Sequence, residues 1–199
     1  MTSDMLLAAI SFAFVMSFTP GPNNILLTAS GVNFGFVRSI PHILGVKFGF
    51  VALLAACGLG LGLLFTTYPV AQTALKIVGA AYMLWLAWKV ANAGSASGAS
   101  VGAHPISFLQ ATAFQWVNPK GIVAAVAAVA LFIGPDSGTT DFLLLLFIFG
   151  LCTILSATTW TAFGAALSTF LRNPSYARAF NIAMAVLLVA SIVPMVWAG

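Results

Sequence analysis

Charge is what this 199-residue chain has least of: three acids and seven basic residues make up 5% of it, and glutamate is absent. Asp4, Asp136 and Asp141 are too few and too scattered to supply a carboxylate pair for acid–base work or a cluster for a divalent cation. Two histidines and two cysteines give neither the spacing of a zinc site nor a disulfide framework. No HExxH and no phosphate loop ending in Gly-Lys-Ser/Thr is present, and Ser30, in Thr28-Ala29-Ser30-Gly31, has no base predicted beside it. An enzyme has little to work with here, and no cofactor or metal is implied. The net charge of +4 and pI near 9.4 come from basic residues spread over the whole length, without the stripe or aromatic-interleaved patch of a nucleic-acid binder.

Hydrocarbon is what the chain has in abundance. Hydrophobic residues make up 61%, against about half apolar and a quarter charged in a soluble domain. Stretches such as 51–65 and 121–134 contain no charge, so a bilayer rather than polar surface must cover them. The N-terminal residues lack the basic region and cleavage site of a signal peptide, and the first apolar segment is expected to stay in the protein.

Taking about 20 apolar residues per crossing, the pattern predicts an all-α integral membrane protein with about six transmembrane helices, near 5–31, 41–65, 70–91, 105–134, 141–168 and 178–198. Turn residues mark the breaks at Tyr68-Pro69, Gly134-Pro135-Asp136 and Arg172-Asn173-Pro174. A Gly/Ser/Ala-rich run after Asn92 divides the chain into a first three-helix repeat (1–92), a flexible cytoplasmic linker (93–104) and a second three-helix repeat (105–199). Three is odd, so the halves enter the membrane in opposite senses, a 3+3 inverted-topology repeat. Arg38, Lys89, Arg172 and Arg178 alternate with loops lacking basic residues, which puts the basic set in the cytoplasm and both termini on the outer side. Lys47, Lys76 and Lys120 fit that scheme less cleanly, each lying close to or inside a span.

Two of the spans are interrupted at matching depth. Span one breaks at Pro20-Gly21-Pro22-Asn23 and span four at Asn118-Pro119-Lys120-Gly121, the pattern of discontinuous helices around a midplane site. The prolines free carbonyls near residues 16–19, which must meet another helix, water or a solute. Asn23 and Asn24 open the outgoing half-helix, whose free amides suit a carboxylate. The alternative is a Pro-Gly-Pro kink in a packed helix. Lys120 is either a cation at membrane depth serving the site or a snorkelling interfacial lysine. Gln110 and Gln115 either line the same cavity or bond neighbouring helices. Gly45 and Gly49, and likewise Gly58 and Gly62, have the spacing of close helix packing. His42 and His104 fall near the predicted inner surface as interfacial polar residues, and Tyr82, Trp85, Trp88 and Trp197 as belt aromatics.

Phe18-Thr19-Pro20-Gly21-Pro22-Asn23-Asn24, the Gly-rich second span, Trp85-Leu86-Ala87-Trp88-Lys89 and Gln115-Trp116-Val117-Asn118-Pro119-Lys120 together resemble the LysE/RhtB family of bacterial inner-membrane amino-acid translocators, over essentially the whole chain. Within it the chain is most similar to the cysteine and O-acetylserine exporter branch. The resemblance implies export of amino acids or their derivatives from the cytoplasm by a multi-pass protein of the inner membrane, driven by an ion gradient, with a proton as the coupling ion admitted, or by the substrate's own gradient. It leaves assembly into a homo-oligomer open. The substrate-binding set expected is Pro20, Gly21, Pro22, Asn23, Asn24, Gln115, Asn118, Pro119 and Lys120, working by alternating access. The lack of an intramembrane acid agrees with neutral substrates such as cysteine, O-acetylserine, homoserine or threonine. The competing readings are a thiol–disulfide electron carrier using Cys57 and Cys152, and an inorganic-cation exporter, for which ligands are short.

Overall fold

The computed structural model describes residues 1–61, 69–93, 104–134, 137–171 and 173–193. Among them run eight α-helices: α1 (Ser3–Phe18), α2 (Pro22–Arg38), α3 (Ile40–Ala56), α4 (Pro69–Ala91), α5 (Phe108–Gln115), α6 (Pro119–Phe132), α7 (Thr139–Leu167) and α8 (Pro174–Ala190). A π-helical turn, Cys57–Leu61, extends α3. Proline sets the starts: Pro22, Pro119 and Pro174 each open a helix, where a missing amide proton costs nothing. Thr2 caps α1, Ser107 and Gln110 form a reciprocal capping box on α5, and Asn173 caps α8.

Length and composition allow α3 with its π turn, α4 and α7 each to cross a bilayer. The pairs α1/α2 and α5/α6, bent by 55° and 59°, bring that to as many as five if each pair is one span. The breaks fall at the two sites expected from sequence, and α8 is a further, shorter apolar helix of 17 residues. The linker expected over 93–104 lies, for 94–103, outside the described residues, as do 62–68, 135–136, 172 and 194–199 with the ends of expected spans two and six.

Polarity is distributed inside out. Leu7, Phe14, Phe48, Ile77, Trp88, Phe147, Leu155 and Val186 point outward, while Asn24, Ser30, Asn33, His42, Gln115, Asn118, Ser156 and Asn181 are buried. A water-soluble fold reverses this; hydrocarbon favours it, because the polar groups find partners only within the bundle.

Small residues let the helices approach. A methyl group added to Gly31 on α2 would lie 2.8 Å from the Ala165 nitrogen of α7, and one on Gly164 would lie 3.0 Å from Thr28 Cα. On α3, Gly45 and Gly49 face α5 in the same way, 2.7 Å from Ala111 Cβ and from Thr112 Cα. The expected packing role of Gly45 and Gly49 is therefore observed, and Gly31 and Gly164 form a second such crossing. Gly164→Val should lower the melting temperature of the detergent-solubilised protein by the equivalent of about 1–3 kcal/mol, whereas Gly134→Ala, with no atom within 4 Å of the added methyl, should leave it unchanged.

Candidate functional site

The first break shows where the freed backbone groups go. The Ser17 carbonyl accepts from Asn24 Nδ2 at 3.0 Å and from Ser156 Oγ of α7 at 2.7 Å. The Thr19 carbonyl accepts from Asn24 Nδ2 at 3.0 Å and from Lys120 Nζ. Of the outcomes open from sequence, these carbonyls meet side chains of neighbouring helices. Gly21 lets the Lys120 chain lie across the break: a methyl there would be 2.9 Å from Lys120 Cδ.

The second break answers the first. Gln115, at the end of α5, exchanges two hydrogen bonds with Asn23, at the start of α2: Asn23 Nδ2 donates to Oε1 at 2.8 Å and Gln115 Nε2 donates to Oδ1 at 3.0 Å. Asn118 is the N-cap residue of α6, yet its side chain caps nothing. It is 2% exposed, and Oδ1 has no hydrogen-bond partner. A buried acceptor without a donor costs roughly 1–3 kcal/mol, so it points to a ligand or water that completes it.

Both breaks open onto one cavity, about 520 Å³ with its open mouth included. Its polar wall includes Asn23, Asn24, Gln115, Asn118 and Lys120; its apolar wall includes Met16, Val46, Phe50 and Phe149. Of the expected residues, Gly21, Asn23, Asn24, Gln115, Asn118 and Lys120 are brought together around it, while Pro20, Pro22 and Pro119 shape the breaks without joining the lining. Ser17, Thr153 and Ser156 also line it and were missed from sequence. The signal was a hydroxyl pair one turn apart, Thr153 and Ser156, inside the apolar run of span five. Gln110 is not at the cavity: it caps α5 and accepts from Lys89 Nζ at 3.2 Å. Lys47 also lies away from it, over the Phe48 ring at 4.9 Å.

Two sequence expectations are corrected nearby. His42 is packed inside the bundle at 1% exposure rather than presented on its surface, and the base that Ser30 lacked in sequence is this same residue, with Nδ1 2.8 Å from Ser30 Oγ. The tight turn between α2 and α3 brings Ser30 and His42 together, which linear spacing does not convey. Asn33 and Asn181 form a second reciprocal amide pair, at 2.7 and 2.9 Å, joining α2 to α8. Cys57 and Cys152 are buried free thiols within one apolar cluster. No group of three or more metal-ligating side chains occurs among the described residues.

An apolar-coated bundle whose two broken helices meet at a cavity lined in part by polar side chains has the make-up of a multi-pass membrane protein. The chain belongs to the LysE type translocator family, which matches residues 14–194. It is 33% identical over 198 residues to the cysteine/O-acetylserine efflux protein of Escherichia coli K12, covering 95% of this chain and 96% of that one. The protein of the same description from Shigella sonnei matches to the same extent. No solved structure matches the chain.

The Asn23–Gln115 pair gives a thermodynamic test. Gln115→Leu strands the Asn23 amide and should cost about 1–3 kcal/mol. Adding Asn23→Leu should recover part of that loss, so that thermal unfolding of the two single variants and the double variant shows non-additivity.

Proposed function

We propose that the chain exports small zwitterionic amino acids or their derivatives, and that the cavity between the two breaks is the transport site. The observation that carries this is the pairing of opposite needs in one cavity: Lys120, a cation with no acid beside it, and Asn118 Oδ1, a buried acceptor with no donor. An amino acid satisfies both. Its carboxylate takes the Lys120 ammonium, and its own ammonium takes Asn118 Oδ1 and the place Lys120 vacates at the Thr19 carbonyl. Charge is exchanged rather than added, so a solute of zero net charge enters without leaving an unpaired ion in low dielectric. Asn24 then acts as a positioning residue, keeping the end of α1 bonded while Lys120 changes partner. Asn23 and Gln115 hold the two breaks in register. Thr153 and the apolar wall face the substrate side chain, and the limited volume suits a small neutral one such as that of cysteine or O-acetylserine, the pair in the description of the Escherichia coli relative.

The mechanism proposed is alternating access within a 3+3 inverted repeat. The helix contacts support that reading: α3, second in its half, packs on α5 of the other broken span, and α7, second in the other half, packs on α1. The apolar cluster that includes Leu27, Val46 and Ala157 borders the cavity and is the natural element to part. The basic end, with Arg38, Lys89 and Arg178, is assigned to the cytoplasm. A thiol–disulfide carrier is less well supported, since Cys57 and Cys152 are packed as apolar residues.

Cells loaded with a dipeptide mixture and producing the wild-type protein should release cysteine- or serine-derived amino acids faster than cells without it. Lys120→Met and Asn118→Leu should each slow release by about tenfold or more at equal membrane abundance. Unaltered release in both variants would remove this cavity as the transport site.

A further inference from the structure

A second cavity, of about 280 Å³ with its mouth included, lies at the basic end of the bundle and is lined by Ser30, Asn33, Phe34, Lys89 and His104 among others. Two of its polar residues are already engaged: Ser30 with His42, and Asn33 with Asn181 and the Ala29 carbonyl. Asn181 Nδ2 also donates to the Ala93 carbonyl at 2.8 Å, so this wall is fixed. Lys89 is different. Its ammonium bonds one neutral oxygen, Gln110 Oε1, and lies 5.4 Å over the Trp85 ring, which leaves its charge uncompensated. The three acids of the chain are in α1, at the start of α7 and between α6 and α7, none on an element lining this cavity.

The cavity also sits in line with the central one. Successive turns of α2 line them, Asn23, Asn24 and Leu27 the first and Ser30, Asn33 and Phe34 the second. One apolar cluster borders both: its Leu27, Val46 and Ala157 touch the central cavity, and its Ala29, Val90 and Ile106 touch the basic one. We propose that this basic cavity is an entry vestibule, in which Lys89, with His104 at its side, captures the substrate carboxylate before the cluster parts and admits the molecule to Lys120. The vestibule rests on the exporter reading above and adds a second carboxylate site to it. An ammonium without a carboxylate partner can hold the carboxylate end of a zwitterion through a charge-assisted hydrogen bond.

The test is uptake of radiolabelled O-acetylserine into everted membrane vesicles, where the basic end faces the bath. Lys89→Met should raise KM on the order of tenfold with the maximal rate retained. Lys89→Gln, which keeps a donor for Gln110, should behave like Lys89→Met, and Lys89→Arg should restore KM. Lys120→Met should instead depress the maximal rate. The KM shift should persist in proteoliposomes of phosphatidylcholine alone; a shift confined to vesicles with phosphatidylglycerol would overturn the proposal by assigning the cavity to a lipid phosphate. Equal KM in wild type and both uncharged variants would overturn the vestibule while leaving export intact. No uptake by wild type would overturn the exporter reading and the vestibule with it.

Discussion

A backbone carbonyl inside hydrocarbon has to be bonded, and the first break releases several at the end of α1, those of Ser17 and Thr19 among them. Ser17 and Thr19 would each be stranded at the end of α1 if their acceptors were left to lipid. Asn24, Ser156 and Lys120 converge on those two oxygens from α2, α7 and α6. Three helices are thereby tied to one point, and the helix can stop mid-bundle only because they are. The cavity is the space left where side chains of α1, α2, α3, α5, α6 and α7 meet around this point.

Around that point, the bundle uses two kinds of joint. Glycines at 31, 45, 49 and 164 bring helix surfaces close enough for dispersion to act where the hydrophobic effect does not. Reciprocal amide pairs, Asn23 with Gln115 and Asn33 with Asn181, join α2 to α5 and to α8. Each amide pair is neutral and self-satisfying, so it can break and re-form without exposing a charge. The glycine crossings have no such reserve and read as the stiff part of the frame.

Much of this was legible in sequence. Proline at 20, 22 and 119 marked both breaks because proline cannot complete a helical ladder wherever it occurs, and long uncharged runs marked the spans for an equally local reason. The joining of Asn23, Asn118 and Lys120 around one cavity followed from the matching depths of the breaks. What sequence hid was everything decided by helix rotation and approach. Gln110 and Gln115 looked alike, yet one caps its own helix and the other crosses to Asn23. His42 was expected as an interfacial polar residue, and its burial against Ser30 depends on helix rotation that linear spacing does not convey. Ser156 is half of a hydroxyl pair in an apolar run, but which carbonyl it bonds shows only once α7 is seen beside the end of α1.

Lys120 has an electrical consequence. Among the described residues it is the one charged side chain lining the central cavity, and a zwitterion bound as proposed would bring plus and minus together without changing the total. A charge moved through the whole potential gains or loses about 2.3 kcal/mol per 100 mV. In the alternating-access cycle proposed above, any shift of Lys120 along the membrane normal lets the membrane voltage act on the protein itself, loaded or empty. Turnover would then respond to voltage even with the zwitterionic cargo proposed here, which carries no net charge.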